Sequence, residues 1–243
     1  MKIKYTSIYI SLFVTLFSFS SFSQEGKAKK GDKDFDRFEY IDAREIYLKV
    51  VENGYQSAQL YENLGDTYYW NSDYANAAKW YSKLINEFSN ETQPIYYYRA
   101  AQSFKSLNDF EKSEKFMNTY VVKSGDSGML NAINTETTSY DVTLKKVAIN
   151  SSYSDFGPSF YKDKVVFASS KPGGEGEKIH KWMGQPFTDL YIANVDETGN
   201  LTNASPLGGE VNTKYHETSP AFTKDGKTMY FTRNNFIDGK KGT

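Results

Sequence analysis

The chain has 243 residues, with 29 lysines and arginines against 30 aspartates and glutamates, and it contains no cysteine. A formal net charge of −1 gives no strong positive field for holding nucleic acid or an anionic membrane. The absence of cysteine excludes disulfides, thiolate metal sites and a lipid-anchored cysteine at a signal cleavage site. The length predicts one or two domains.

The first 23 residues have the pattern of a cleaved secretory signal. Two lysines open the segment, an apolar run diluted by Ser and Thr occupies 8–22, and Ser21 and Ser23 place small residues before Gln24. The run is short for a membrane-spanning helix, which is the alternative interpretation. We therefore expect residues 1–23 to be a signal peptide that is removed on export.

Residues 24–124 carry a helical repeat. The charged segment 24–36 predicts, in its early part, a solvated lead-in to the first helix. Seven positions then recur with a shift of 36, namely Tyr61, Leu64, Gly65, Tyr68, Tyr74, Ala77 and Tyr81 as Tyr97, Ala100, Ala101, Phe104, Phe110, Ser113 and Met117. Three further residues, Tyr40, Ala43 and Tyr47, match at a shift of 34 and indicate an earlier unit whose first helix, near 32–37, is poorly marked. The apolar residues follow helical spacing, so the pattern predicts stacked helix pairs. These residues resemble the tetratricopeptide repeat.

A polar segment at 125–140 predicts a linker, and strand patterns follow it over 141–243. Residues 155–160 are echoed by 217–222, a shift of 62. Runs of strand composition occupy 165–169, 189–193 and 229–232, and two of them follow tight-turn residues. Short antiparallel units in repetition are typical of propeller blades.

The motifs at 154–160 and 166–169, preceded by the helical repeat, resemble OmpA-family cell-envelope proteins. Those proteins have N-terminal tetratricopeptide repeats and a TolB-like β-propeller, and they are associated with type IX secretion and gliding. The resemblance implies an α + β multidomain fold, in which a tetratricopeptide α-solenoid precedes the first blades of a β-propeller. About two blades precede Thr243, and the family's OmpA-like peptidoglycan-binding domain has no counterpart here. We therefore expect the chain to be the N-terminal part of a longer protein.

No catalytic constellation occurs in the sequence, so we predict no enzyme, no catalytic residue, no cofactor and no metal site. There are two histidines, His180 and His216, and no metalloprotease, nucleophile-elbow or phosphate-loop motif. Asp155 and Glu217 either bind a ligand at a propeller mouth or accept backbone N–H bonds in the turns between blades. The second interpretation is favoured, because both units carry the same acidic character.

One candidate binding site lies on the helical repeats. The first helices of tetratricopeptide units line a concave groove, where these residues could bind a peptide; the alternatives are a solvated face or one covered by a neighbouring domain. The candidate groove residues are Gln59, Glu62, Asp66, Tyr69, Trp70, Tyr98, Gln102 and Lys105.

Together, these patterns and the resemblance predict a non-enzymatic scaffold or adaptor in the periplasm, associated with the outer membrane. Its expected partners are envelope proteins, including outer-membrane, secretion or gliding components, and peptidoglycan only through domains absent from this chain. Nucleic acid and a direct lipid anchor are not expected. The alternatives are a carbohydrate-binding envelope module and the non-catalytic propeller part of a longer hydrolase or peptidase.

Overall fold

The computed structural model describes residues 23–125, 143, 145–173, 178–234, 236–237 and 240–241, which form two compact units. One unit is helical and the other consists of antiparallel strands. The predicted signal segment, apart from residue 23, and nearly all of the predicted linker lie outside the described residues.

The helical unit consists of three helix pairs. The helices are α1 (23–36), α2 (Tyr40–Glu52), α3 (Ala58–Tyr69), α4 (Tyr74–Glu87), α5 (Pro94–Ser106) and α6 (Phe110–Ser124). Asp73 and Asp109 cap the second helices of their pairs, each accepting a backbone N–H three residues later at 3.2 Å. Pro94 occupies the first turn of α5, where a missing N–H costs nothing. The prediction of tetratricopeptide-like helix pairs is confirmed.

The first helix differs from its prediction. The segment 24–36 is helical along its whole length, and not a solvated lead-in to a helix near 32–37. Ala28 is buried on its inner side, while many of its charged residues face solvent. The charged outer face hid the helical pattern, because few apolar residues mark the inner side.

The turns inside the three pairs share one backbone conformation. Phe38, Ser72 and Asn108 each have a positive φ of about 60°, at 61°, 58° and 60° respectively. These positions are 34 and 36 residues apart, as are the repeats themselves. The left-handed residue reverses the chain so that the second helix packs back on the first.

Residues Lys181–Met183 also belong to the helical unit. The ammonium of Lys181 lies 3.0 Å from Glu39 and 2.8 Å from Asp42. The ring of Trp182 stacks on Phe38 with centroids 5.6 Å apart, so this aromatic side chain has a partner within the unit.

Close helix approach in the first two pairs depends on glycine. A Cβ at Gly31 would come within 2.6 Å of the ring of Tyr47, and a Cβ at Gly65 would overlap the ring of Tyr81. Both tyrosines are fully buried. The third pair has Ala101 and Met117 at the equivalent positions, where a flexible chain replaces the ring.

The second unit contains a four-stranded antiparallel sheet in the order β1–β2–β5–β6, a short β3–β4 hairpin between β2 and β5, and a separate β7–β8 hairpin. The strands are β1 (Asp155–Tyr161), β2 (Lys164–Ser169), β3 (Ile179–His180), β4 (Gln185–Pro186), β5 (Asp189–Val195), β6 (Leu201–Pro206), β7 (Glu217–Phe222), β8 (Met229–Arg233), β9 (Phe236–Ile237) and β10 (Lys240–Lys241). The three predicted strand runs are β2, β5 and β8.

The repeat of 62 residues is a repeat of structure. The β1–β2 pairing shifts register between Phe156 and Ser159, and the β7–β8 pairing shifts between Thr218 and Ala221. In each bulge one residue has a positive φ, Gly157 at 62° and Ser219 at 51°. The sequence predicted that the Pro-containing motif starts a strand, whereas it forms the bulge within β1 and β7. A bulge accommodates proline, because part of its backbone is unpaired.

Gly65→Ala tests the close approach in the second pair. We expect the free energy of unfolding to fall by about 1–3 kcal/mol, because the new methyl group overlaps the ring of Tyr81. Urea unfolding of the whole chain, followed by far-ultraviolet circular dichroism, measures the change.

Gly26→Ala is the matched control. Gly26 is a helical glycine of α1, and nothing lies within 4 Å of the position that a Cβ would occupy there. Alanine should therefore stabilise the chain by about 0.5–1 kcal/mol through helix propensity alone. Equal effects of the two substitutions would contradict the proposed ring-to-helix contact.

Candidate functional site

The predicted groove residues lie on one side of the first helices of the second and third pairs, and they differ in exposure. Gln59, Trp70 and Lys105 are exposed. Tyr69, Tyr98 and Gln102 are half-buried, while Glu62 and Asp66 are buried. The accessible part of the stripe therefore consists of amide, phenol and indole groups with one lysine.

A chain of side-chain hydrogen bonds joins α3 to α5 across the stripe. The hydroxyl of Tyr69 donates to Oε1 of Gln102, and Nε2 of Gln102 donates to the hydroxyl of Tyr98 at 2.7 Å. The ring of Tyr98 lies 5.3 Å from that of Tyr120 on α6. These contacts hold the three accessible polar groups of the stripe in one geometry across the boundary between two repeats.

Asp66 supports the stripe from below and is not an accessible groove residue. Its carboxylate accepts from the hydroxyl of Tyr81 at 2.7 Å and from Nη1 of Arg99 at 2.6 and 2.7 Å. Burial raises the pKa of the Asp66 carboxyl, with Arg99 and Tyr81 acting in the opposite direction. The sequence predicted an exposed stripe position, but Asp66 follows Gly65, against which the Tyr81 ring packs, and the carboxylate is therefore covered.

Glu62 is also covered, one turn earlier on α3. Burial raises the pKa of its carboxyl, and a hydrogen bond with Tyr96 partly offsets that effect. Burial and the two nearby carboxylates, Asp66 and Glu62, raise the pKa of Tyr96 far above its usual range. Glu62 thus belongs to the same buried network as Asp66.

The first pair contains an equivalent network, which the sequence prediction did not identify. Asp32 accepts from the hydroxyl of Tyr47 at 2.7 Å and from Nδ2 of Asn63 at 3.0 Å. Asp32 and Asp66 are 34 residues apart, each follows a glycine, and each precedes its tyrosine by 15 residues. The repeated Gly-Asp dipeptide was the available signal.

Arg99 is a second residue that the sequence prediction missed. Its guanidinium carbon lies 5.1 Å from the ring centroid of Trp70, 5.4 Å from Tyr96 and 5.8 Å from Tyr69. Arg99 therefore links the buried Asp66 to the aromatic rings of the accessible stripe, through an ion pair on one side and cation–π contacts on the other.

In the strand unit, the predicted turn role of the acidic residues is confirmed. Asp155 accepts from the backbone N–H of Ser151 at 2.6 Å, and Glu217 accepts from that of Thr213 at 3.1 Å. Glu217 is fully buried and also accepts from Nε of Arg233 at 2.6 Å. Both carboxylates fix a turn four residues earlier, and both are engaged there by hydrogen bonds within the chain.

Among the described residues, no group of three or more His, Asp or Glu side chains could hold a metal ion. Within the same part of the chain, no helix is both long and apolar enough to span a membrane.

Comparisons with known proteins identify similar folds. No family model matches the sequence, and no curated protein is significantly similar to it. The structure of PcrH bound to the chaperone-binding region of PopB is 18% identical over 46% of this chain and 88% of that one, with a TM-score of 0.38. The CopN–Scc3 complex is 18% identical over 49% and 69%, with a TM-score of 0.40. The N-terminal domain of stress-induced protein-1 from C. elegans is 13% identical over 47% and 94%, also with a TM-score of 0.40. The similarity is one of fold.

Arg99→Leu tests the support beneath the stripe. Because the buried Asp66 carboxylate loses its counter-charge, we expect the free energy of unfolding at pH 7 to fall by about 3–5 kcal/mol. An aspartate whose pKa is raised in the folded state binds its proton more tightly when folded. The loss should therefore shrink as the pH falls towards 4, near the ordinary pKa of the unfolded residue.

The double variant Asp66→Asn/Arg99→Leu is the control, since a neutral amide needs no counter-charge. It should lose less stability than Arg99→Leu at pH 7 and show little dependence on pH. Chemical unfolding at both pH values measures this, and an Arg99→Leu loss that is equal at pH 7 and pH 4 would contradict the ion-pair role.

Proposed function

We propose that this chain is the partner-binding part of an exported, non-enzymatic scaffold or adaptor. The observation that carries the proposal is the ordered stripe across α3 and α5, in which Tyr69, Gln102 and Tyr98 are hydrogen-bonded to one another beside the exposed Trp70 and Lys105. Surfaces with rigid aromatic rings and fixed polar groups bind other proteins at a low entropic cost.

The bound segment is expected to be an extended or helical piece of a partner protein. The stripe offers amide and hydroxyl groups for main-chain hydrogen bonds, and two rings for apolar side chains. Among its eight residues, the exposed charge is the ammonium of Lys105. The nearby carboxylates of Asp66 and Glu62 are buried, so they add no accessible negative charge to the groove.

In the proposed setting, the chain acts in the periplasm at the outer membrane, and the strand unit forms the first blades of a TolB-like β-propeller. The four-stranded antiparallel sheet, followed by a hairpin with the same bulge, supports this proposal. The partners would be envelope proteins, including components of type IX secretion or gliding, and an OmpA-like domain elsewhere in the protein would hold the cell wall.

Peptide binding tests the groove. Phage-displayed random peptides are selected on the full chain, and the enriched peptides are measured by fluorescence anisotropy. We expect Tyr98→Ala and Lys105→Ala to weaken binding by about tenfold each, because they remove a stripe ring and its charge. Lys115→Ala, which removes an exposed lysine from α6, should leave binding unchanged. Enriched peptides that bind Tyr98→Ala as tightly as the unaltered chain would contradict the groove assignment.

Sequencing the N-terminus of the protein isolated from its own cells tests export. We expect the mature chain to begin at Gln24 and to fractionate with the periplasm or outer membrane. Ser23→Arg is the control, because a large charged residue before the cleavage position should leave the precursor uncut. A cytoplasmic protein that retains Met1 would contradict the proposed localisation.

A further inference from the structure

The two histidines of the chain meet in the strand unit, where the β3–β4 hairpin lies beside the start of β7. His180 pairs with Gln185 across the hairpin, and His216 immediately precedes β7. Their ring centroids are 4.7 Å apart in an edge-to-face arrangement. The ring of Phe187 lies 4.4 Å from His216 and 5.4 Å from His180, so an apolar ring covers both imidazoles.

The hydrogen bonds of His216 fix its protonation state. The backbone N–H of Thr188 donates to Nδ1 of His216 at 3.0 Å. Nδ1 is therefore unprotonated, and in the neutral ring the proton resides on Nε2. Neither nitrogen of this ring has a lone pair free for a metal ion in this arrangement, so the pair is not a metal site.

Two points attach the hairpin to the rest of the strand unit. At the first, Oε1 of Gln185 accepts from the backbone N–H of Ser154 at 3.1 Å and from Oγ of Ser170 at 2.6 Å. At the second, Thr188 donates to His216 and its carbonyl accepts from the N–H of Glu217 at 2.8 Å. Of these two points, the second contains a group that titrates near neutral pH.

We propose that His216 is an acid-sensitive latch, which holds the end of the β3–β4 hairpin against β7 when neutral and releases it when protonated. A proton on Nδ1 would point at the N–H of Thr188, replacing a hydrogen bond with two opposed donors. The hydroxyl of Thr188, also 3.0 Å from Nδ1, can rotate to accept that proton, whereas the backbone N–H cannot change its role. The second imidazole adds like-charge repulsion once both rings are protonated.

The surroundings favour the neutral ring. Burial and the neighbouring His180 lower the pKa of His216 to about 4, and burial lowers that of His180. The nearest charged groups along the chain are Lys178 and Lys181 beside His180, and Glu217 beside His216. The Glu217 carboxylate is bound to Thr213 and Arg233, and the end of β8 offers the N–H of Asn234, which donates to the His216 carbonyl. Among the described residues, no carboxylate stabilises either imidazolium.

The sign of the pH effect follows from these shifts. A histidine whose pKa is lowered in the closed state binds its proton more tightly once the latch opens. The closed state is therefore fully favoured above the ordinary pKa of 6.5 and loses stability as the pH falls from there towards 4. By about pH 5 the opening equilibrium should have risen about 30-fold.

Hydrogen–deuterium exchange of the full chain, read by mass spectrometry at about pH 7 and pH 5 after correction for intrinsic rates, tests the latch. We expect the protection of residues 179–188 to fall about 30-fold at the lower pH, while β5 (189–195) keeps its protection. His216→Asn is the matched variant, because its Oδ1 can accept from Thr188 but does not titrate, and it should show no such fall. The proposal is overturned if the unaltered chain shows no fall, if His216→Asn shows the same fall, or if β5 loses protection in parallel.

His180→Gln keeps the test decisive if His216→Asn does not fold, which the loss of β5 protection at neutral pH would reveal. Removing the neighbouring imidazole brings the pKa of His216 closer to its ordinary value, so the fall in protection in acid should become smaller. A fall as large as that of the unaltered chain would overturn the latch.

Discussion

The helical unit depends on a tyrosine that packs against a glycine and donates its hydroxyl to the aspartate that follows. Without a side chain at Gly65, the ring of Tyr81 can lie directly on α3, and its hydroxyl then reaches Asp66. The contact excludes water from a carboxylate, which must consequently find a second donor. In both pairs that donor comes from the first helix of the next repeat, Asn63 for Asp32 and Arg99 for Asp66. One glycine thus sets the packing within a repeat and the register between repeats.

The candidate site follows from this constraint. Arg99 is fixed by Asp66, and the rings of Tyr69 and Trp70 lie against its guanidinium. The third repeat has Gln102 where the second has Asp66, and Met117 stands where the second has its covering tyrosine. The amide of Gln102 therefore remains half-buried and bonds to Tyr69 and Tyr98 on the accessible face. The same repeat position serves as a buried link in one unit and as part of the surface in the next.

The sequence was sufficient for the helix pairs from Tyr40 onward, because apolar spacing, caps and small residues agree there. It was insufficient for α1, whose charged face outnumbers its buried side, and for the burial of Glu62 and Asp66. Helical periodicity identifies the face on which a residue lies, but coverage of that face depends on a ring arriving from another helix. Arg99 was missed for the same reason, since its role exists only through a partner 33 residues away.

In the strand unit, the sequence indicated β2, β5 and β8, which are rich in β-branched and aromatic residues. It did not indicate β6, whose composition of Leu, Thr, Asn, Ala, Ser and Pro suits an edge strand and lacks an apolar alternation. The two-residue strands of the β3–β4 hairpin are too short to give a periodic signal. Their position depends on Gln185 and Thr188, which act through hydrogen bonds to distant residues.

The link between repeats also has a consequence for how such a chain can evolve. The 34 residues from Gly31 to Leu64 contain one complete set of parts: the glycine, the aspartate, the covering tyrosine and the amide that binds the aspartate. A tandem duplication of this segment would join to itself by the contacts it already has. The solenoid can therefore gain a unit in a single genetic event, and the length of its groove is free to change while every junction stays chemically the same.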